Sequence, residues 1–486
     1  MPKAYALTDP SAPKFPSKFD ILKKAVLQKT DLNKNNNKYY ALELHSPSAK
    51  TKKVFRVFTH YGRTDDLETN PEAGKRECRY FTSHAAADAC YEELLRKKTS
   101  RAKGYKELSL AASKIGSMGA RGLSVGELDA KTLAANKKAA KKKTAKKAGA
   151  KKTAKKTAKK AARKPLTPAL STLVDYIYSE ATNALTSTVK ATITANGIET
   201  PLGVLTHGQI DKGQAVLDAI LDELKRSRKR KAKLRELSGE FYTLIPHRLG
   251  RTRAAIEAAT ISSKTAFAEK NDTLQLMRDM LQVSGDDNVL FDGGAADQYA
   301  ALGCAIEPLA KTSAEYKRWS KHVLDNQLSR GIKIVNLYTL KRPPEHKSYR
   351  KLSNERLLFH GSSLRNWVGI LSRGILLPKV VVGMGVSRTD EGWLGHGIYF
   401  GSESCTAVNY TYPGKRGTSM MAICRVALGK IKRYRDITYG LTRPPRGYDS
   451  CHGISNVDDD ESEFDDNEYV IYDTAQQRLE VLVEFK

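Results

Sequence analysis

The sequence predicts a multidomain α+β protein: a small α+β unit, an all-α helical block, and a mixed, largely antiparallel, β-rich domain. Three observations carry this. At 486 residues the chain exceeds the size at which one hydrophobic core keeps growing, so several domains of roughly 100 to 150 residues are expected. The apolar period changes along the chain from two residues to helical spacing and back to two. Between the first two regions lies "KKAAKKKTAKKAGAKKTAKKTAKKAARK" (137–164), with fourteen Lys, one Arg and no acid. Such a segment cannot bury enough apolar surface to offset chain entropy, so it reads as a disordered tether. The boundaries that follow are a flexible tail over 1–20, the small unit over 21–115, a disordered basic linker over 116–164, the helical block over 165–290 and the β-rich domain over 291–486.

In the small unit, "KYYALELH" (38–45) alternates Tyr40, Leu42 and Leu44 against Ala41, Glu43 and His45, and "VFRVFTHYGR" (54–63) alternates Phe55, Val57, Thr59 and Tyr61. Both read as half-buried strands. A helix follows over 83–105, with Ser83 as N-cap and Leu94 and Leu95 on its apolar face. In the helical block, Thr167 and Pro168 form an N-cap and N1 pair ahead of Leu170, Leu173, Val174 and Ile177. A second helix carries Leu217, Ile220, Leu221 and Leu224, and "FYTLIPH" (241–247) reads as an inter-helix segment stopped by Pro246. The basic cluster at 225–235 is either a phosphate-binding or import patch or a solvated loop. In the last domain, "MMAICRVALG" (420–429) and "RLEVLVEF" (478–485) are the clearest strands, the second pointing Leu479, Val481, Val483 and Phe485 inward.

The chain carries 83 Lys and Arg against 53 Asp and Glu, a net charge of +30, and the tether supplies half of it. Lysine tracts attract polyphosphate by counterion release, with steep salt dependence, so nucleic acid is the expected partner and a solvated spacer the alternative. No apolar run reaches the roughly 20 residues that span a bilayer, and the N-terminus lacks a signal-peptide stretch, so a soluble intracellular protein is expected. The six cysteines show no C-x-x-C pair and no His spacing that completes a zinc site. Reduced thiols and no metal are the expectation.

Three segments of the last domain concentrate chemistry. "LLFHGSS" (357–363) ends an apolar strand on His360, beside Gly361, where backbone can approach a ligand closely. "GHGIYFGSESCTAVNY" (395–410) places Tyr399 and Tyr410 eleven residues apart, a spacing at which a strand and short helix put both rings around a flat ligand. "DNEYVIYD" (466–473) opens an apolar strand on Glu468, directly behind the acidic run from Asp458 to Asp466. Taken singly, each of these residues is more often structural.

In combination and in this order, the three segments resemble the catalytic domain of the poly(ADP-ribose) polymerases. "FYTLIPH" and "TPLGVLTHGQI" (200–210) resemble the helical regulatory domain of the DNA-dependent members, and "FTHYGR" (58–63) resembles the WGR domain. The resemblance covers roughly residues 20–115 and 165–486. It implies an NAD-dependent ADP-ribosyltransferase in which NAD is consumed, so no dinucleotide-binding fingerprint is needed. It further implies that Glu468 holds the nicotinamide-ribose 2′-hydroxyl and orients the acceptor, and that His360 holds an NAD ribose hydroxyl. Tyr399 and Tyr410 would sandwich the nicotinamide, Gly361 would take its carboxamide, and Ser362 would lie near the adenosine ribose. Tyr61, Gly62 and Arg63 would meet DNA carrying strand breaks, and the helical block would restrain the NAD site until DNA is bound. The expected acceptors are proteins, including the chain itself, and the expected setting is a monomer in a nucleus or a bacterial nucleoid.

The chain departs from the family pattern at three positions. Ala407 stands where relatives have a serine beside the nicotinamide, so one carboxamide hydrogen bond is missing unless Ser404 or Thr406 supplies it. His396 replaces a common lysine, and Tyr61 replaces the tryptophan that names the WGR domain. Single transfers rather than polymer, or a DNA-binding scaffold with an inert transferase domain, are the competing readings. The acidic run is expected to be an exposed loop with screened charge, with the tether or automodification as alternative roles.

Overall fold

The alternating strands of the small unit assemble into a six-stranded antiparallel sheet in a computed structural model. The described residues are 2–48, 54–125, 165–194, 197–249, 252–284, 294–328, 331–377 and 392–486. The Lys/Ala tether at 137–164 lies outside them. Among the described residues, no helix is long and apolar enough to cross a membrane, and all six cysteines are free thiols.

The first sheet runs β1 (Tyr5–Ala6), β5 (Lys75–Phe81), β4 (Phe55–Arg63), β3 (Asn36–Pro47), β2 (Phe19–Asp31), β6 (Lys106–Glu107). Helix α1 (His84–Thr99) packs on it through Ala87, Cys90, Tyr91 and Leu94, capped as predicted by Ser83, whose hydroxyl accepts from the Ala86 amide at 3.2 Å.

Two expectations change here. The tail over 1–20 is tied down rather than flexible: β1 pairs with β5, and the Phe15 ring lies under the Arg56 guanidinium at 4.2 Å. Its aromatic residues give it contacts that composition alone did not reveal. Likewise β3 is buried on both faces: residues 115–120 cover Glu43, and the Phe15, Phe19 and Phe58 rings lie around His45. Glu43 is fully buried and satisfied: His45 Nε2 lies 2.8 Å away, the Ser117 amide donates at 3.0 Å, and Lys24 Nζ sits at 3.9 Å. Residues 116–125, expected within the linker, are therefore folded, with Val125 bridging to Leu110.

Burial alone would raise the Glu43 carboxyl, but the His45 hydrogen bond and the Lys24 charge pull it down to about 2. A carboxylate depressed from 4.5 contributes stability at higher pH that is lost as pH falls from about 4.5 towards 2, on the order of 3 kcal/mol in all. Glu43→Gln should therefore lower stability at pH 6 and flatten its loss between pH 4.5 and 2. Urea titrations at pH 6 and pH 3, read through hydrogen exchange of β3, check this; equal pH dependence in both proteins would contradict it.

In the helical block, α2 (Pro168–Thr188) starts where expected, with the Leu170 amide 3.4 Å from Thr167 Oγ1. Further along come α3 (His207–Leu224), α4 (Lys231–Leu244), α5 (Arg253–Ala258) and α6 (Lys264–Ser284). "FYTLI" proves to be the end of α4 rather than a connection, because Pro246 stops the helix only after Leu244. The basic cluster joins α3 to α4, and its Arg230 forks onto Glu223.

The block also carries strands that its helical period concealed: β8 (Thr192–Thr194), β9 (Gly197–Glu199) and β10 (Gly203–Leu205). These join β7 (Leu110–Ser113) in a second sheet, order β7-β10-β9-β8. At three residues each, they are too short to show a period of two. Gly239 in α4 lets the helix approach β2, since a Cβ there would meet the Thr30 carbonyl at 3.0 Å. The Thr30 amide in turn donates to Thr243 Oγ1 at 2.7 Å.

The chain divides into two compact units: Met1–Ala161 with Thr186–Leu281, and Ala162–Leu185 with Gln282–Lys486. The second unit is built on a nine-stranded sheet. Its strands are β11 (Ala305–Pro308), β12 (Ile334–Lys341), β13 (Glu355–Gly361), β14 (Ile398–Gly401), β15 (Ser419–Ala427), β16 (Ile431–Tyr434), β17 (Ser450–Gly453), β18 (Glu468–Ile471) and β19 (Gln477–Phe485). The order is β11-β12-β19-β15-β13-β14-β18-β17-β16, antiparallel except between β16 and β17. Leu479, Val481, Val483 and Phe485 are buried as the alternation predicts. Helices α7 (Ala295–Leu302), α8 (Ala314–Asp325), α9 (Pro343–Ser348), α10 (Trp367–Arg373) and α11 (Ser404–Val408) complete the unit.

Candidate active site

Three adjacent central strands, β13, β14 and β18, bring His360, Tyr399 and Glu468 together from segments far apart in sequence. His360 sits at the end of β13 with Nδ1 3.0 Å from the Tyr399 carbonyl. A carbonyl only accepts, so Nδ1 carries the proton and the imidazole is fixed across the two strands. The Tyr399 hydroxyl accepts from the Leu394 amide at 2.9 Å and donates to the Gly395 carbonyl at 2.8 Å, which holds its ring against the turn at 392–397.

Glu468 opens β18 and is largely buried. Its two cross-strand neighbours are both glycines, Gly401 in β14 and Gly453 in β17. Directly opposed residues share a face of the sheet, so neither neighbour puts a side chain beside the carboxylate. The Tyr410 hydroxyl donates to Glu468 Oε1 at 3.3 Å, which draws the second candidate ring onto the same carboxylate.

Gly361 and Ala407 also meet: a Cβ on Gly361 would strike the Ala407 carbonyl, so only glycine lets α11 lie this close to β13. Ser362 is oriented by two residues that no motif singles out. Asn366 Nδ2 donates to its hydroxyl at 3.1 Å, and Trp367 Nε1 donates to its carbonyl at 3.3 Å. Their spacing of four and five residues from Ser362 was the available signal.

The departure at Ala407 is now constrained. Ser404 does not replace the missing hydroxyl, because its Oγ already lies 2.9 Å from the Val323 carbonyl and 3.1 Å from that of Asn326. Thr406 Oγ1 is buried with no hydrogen-bond partner among the described residues. Burial, with Asp466 and Glu403 nearby, raises the Cys405 thiol pKa.

The acidic run is a folded loop. Arg435 Nε lies 2.7 Å from Asp459 and Nη1 2.6 Å from Glu461, while Glu463 accepts from the Ile437 amide at 2.7 Å. Phe464 is wholly buried beside Trp393, Leu394, Cys451 and Val470. Asn467 ties the loop to the strand entrance, donating to Asp458 at 2.7 Å and lying 2.8 Å from His452 Nε2. Arg435 thus pairs with two of the seven acids before Glu468, partners that lay too far along the sequence to be read.

The loop that follows Tyr410 is anchored within the same unit by α2. Tyr176 donates to the Thr418 carbonyl at 3.3 Å, Glu180 accepts from the Lys415 amide at 2.9 Å, and Arg416 donates to the Thr172 carbonyl at 3.1 Å.

In the first unit, Tyr61 stacks on Tyr40 at 5.5 Å, and its hydroxyl donates to Glu77 at 2.8 Å. Gly62 packs against Gly74 and the Tyr39 ring, and Arg63 stands at the strand end, 3.5 Å from Asp65. Lys98 Nζ lies over the Tyr40 ring at 3.9 Å, close to Tyr61 and Tyr105.

A buried carboxylate, an imidazole and two tyrosines are gathered around adjacent central strands, preceded along the chain by a helical block and a small α+β domain. The comparisons agree segment by segment. Residues 313–486 match the poly(ADP-ribose) polymerase catalytic domain, a domain that takes NAD as its substrate; 165–285 match the poly(ADP-ribose) polymerase regulatory domain, and 23–111 the WGR domain. The chain carries the catalytic and regulatory domains of the poly(ADP-ribose) polymerases together with a WGR domain.

Among its relatives is the protein mono-ADP-ribosyltransferase PARP4 of Mus musculus, 35% identical over 319 residues, 65% of this chain and 15% of that protein. Poly [ADP-ribose] polymerase 2-A of Oryza sativa subsp. japonica is 29% identical over 283 residues, 55% of this chain and 41% of that protein. Protein mono-ADP-ribosyltransferase PARP3 of Gallus gallus is 27% identical over 322 residues, 58% of each. The chain thus spans less than two thirds of the length of each of these relatives.

Proposed function

We propose that this protein is a DNA-break-activated, NAD-dependent protein ADP-ribosyltransferase that modifies itself and other proteins and elongates the chain. The observation that carries the reading is the Glu468 carboxylate, buried at a strand entrance between two glycines and bonded by Tyr410. Cleavage of the nicotinamide glycosidic bond develops positive charge on the ribose, and a carboxylate aimed there stabilises it. The C1′–N bond breaks with both electrons leaving on nicotinamide, an acceptor oxygen bonds to C1′, and its proton passes to solvent. Glu468 holds the ribose 2′-hydroxyl and orients the acceptor, His360 holds a ribose hydroxyl, and Tyr399 and Tyr410 flank the nicotinamide. Gly361 backbone groups take the carboxamide, Ala407 lies against it, and Ser362 is placed near the adenosine ribose.

The WGR match supports DNA as activator through Tyr61, Gly62 and Arg63, with the basic tether adding nonspecific attraction. The regulatory-domain match supports restraint of the NAD site by the helical block until DNA binds. The domains expected at 21–115, 165–290 and 291–486 would bind DNA, restrain the site and carry out transfer in turn, in a nuclear or nucleoid monomer.

Single transfer is the second reading, favoured by the names of the mouse and chicken relatives. Product length separates the two. Labelled NAD incubated with the purified protein gives a ladder or smear on a denaturing gel if the chain is elongated, and one sharp band if it is not.

The missing serine makes a further result expected. Ala407→Ser should restore one carboxamide hydrogen bond and lower the NAD KM about two- to tenfold, the worth of about 0.5–1.5 kcal/mol. Steady-state kinetics check it, and an unchanged KM and nicotinamide inhibition constant would place the carboxamide elsewhere.

A further inference from the structure

The basic cluster at 225–235 has no part in the transferase site. It carries eight Lys and Arg and no acid, and every residue from Lys225 to Ala232 is exposed. The loop has a defined shape, because Arg230 closes it on Glu223 of α3: its amide donates to Oε1 at 2.9 Å, and its Nε lies 2.9 and 3.1 Å from the two oxygens. Two further cations are engaged within the block, Arg226 at 3.8 Å from Glu223 and Lys233 at 3.0 Å from Glu236. Arg228, Lys229 and Lys231 form no ion pair among the described residues, and Arg235 Nη1 meets a neutral oxygen, Asn33 Oδ1, at 3.4 Å. Helix stability does not call for this charge. Lys231 and Lys233 sit in the first turn of α4, which has no acidic residue and no side-chain cap, and cations are unfavourable at that positive end of a helix dipole.

The loop and the small sheet belong to the same compact unit, and α4 fixes one against the other. Thr243 accepts from the Thr30 amide, a Cβ on Gly239 would meet the Thr30 carbonyl and Leu32, and Arg235 reaches Asn33. These three helix positions are four residues apart and meet β2 and its turn in order, so α4 runs outward along the β2–β3 turn. One turn further, about 6 Å, lies Lys231, and the loop projects beyond it. On the other side of the same turn, Lys38 of β3 stands directly opposite Arg63 of β4. Lys34 and Lys38 are exposed. Three acids at this end of the sheet are engaged: Lys29 lies 3.8 Å from Asp31, and Lys190 lies 2.7 Å from Asp65 and 3.2 Å from Glu68. A row of cations therefore runs from Arg63 and Lys38 over Lys34 and Arg235 to Lys231. It covers roughly 20 Å, and one strand of a duplex presents a phosphate about every 3.4 Å.

We propose that the α3–α4 loop is a second, fixed phosphate-binding surface, across which the duplex held at Tyr61, Gly62 and Arg63 lays its backbone. This rests on the reading of those three residues as DNA contacts, and it adds a rigid surface to the nonspecific attraction of the tether. The helical block then touches the activating DNA itself.

Fluorescence anisotropy of a labelled nicked duplex, titrated with the full chain between about 50 and 200 mM salt, reads affinity and its salt slope. In Arg228→Gln/Lys229→Gln/Lys231→Gln the affinity should fall at least about tenfold, and the slope of log K against log salt should shrink by about 2 to 3, since each lost phosphate contact removes about 0.9. Lys317→Gln/Arg318→Gln/Lys321→Gln removes the same charge from exposed positions of α8 and should bind like the wild type. In a Cys405→Ser background, a photo-cross-linker on Lys229→Cys should label nucleotides within about one helical turn of the nick. Equal weakening in both triple variants would make the effect one of net charge and overturn the surface. Weakening by Arg63→Ala alone, with the loop variant binding like the wild type, would also overturn it, leave the DNA reading standing and assign the cluster to another partner, such as an import receptor. A wild type that does not bind the nicked duplex would overturn both.

Discussion

Glu468→Gln is expected to reduce NAD-dependent transfer at least about a hundredfold while leaving the fold intact. Removing one preorganised electrostatic partner of a developing charge typically costs about 10²–10³ in kcat, and a full negative charge facing an oxocarbenium ion belongs at the upper end. Glutamine keeps the shape of the side chain and an acceptor oxygen for Tyr410, so the 3.3 Å bond need not be lost and β18 should keep its register. The loss should therefore fall on kcat more than on KM. Initial rates of nicotinamide release, alongside thermal unfolding of both proteins, check this. A variant that transfers at wild-type rate would remove Glu468 from the mechanism, whereas equal loss of rate and folding would make it a structural residue.

Gly361→Ala is the second large effect expected. The added Cβ would meet the carbonyl of Ala407, a backbone atom that no rotamer change can move aside. Either β13 and α11 separate or the strand end twists, at a cost of about 1–3 kcal/mol typical of overpacking. Since β13 ends on His360 and Gly361 and α11 leads into Tyr410, the displacement reaches both sides of the site. Transfer should fall at least about tenfold, with a lowered unfolding temperature. Activity and stability matching the wild type would mean that the helix yields without disturbing the site.

The parts of the fold written in local chemistry were legible in the sequence. The caps at Ser83 and Thr167 were each read from one hydroxyl and its following helix, and the inward set Leu479, Val481, Val483 and Phe485 from strict alternation. What failed depended on distant partners. Glu43 looked solvent-facing because Ser117, which covers it, comes some seventy positions later, and His45 because its cover is the Phe15 and Phe19 rings of a segment read as a tail. The short strands β8 to β10 carry too few residues for a period, and "FYTLI" ends a helix because helix propagation reaches Leu244 before Pro246 acts. In the candidate site, His360, Tyr399, Tyr410 and Glu468 could be named from three motifs, and their contacts emerged only from strand order. Asn366 and Trp367, which orient Ser362, and Asn467, which ties the acidic loop to the entrance of β18, are ordinary residues in sequence whose contacts appear only through hydrogen bonds.

The central claim is that DNA switches on NAD-dependent transfer at the Glu468 site. Its most direct test is incorporation of labelled NAD by the purified full chain, with and without a nicked duplex and with Glu468→Gln as control. The account predicts label on the wild type that rises steeply with nicked DNA and is absent from the variant. Equal labelling without DNA would contradict DNA control, and no labelling of the wild type under either condition would contradict the transferase itself.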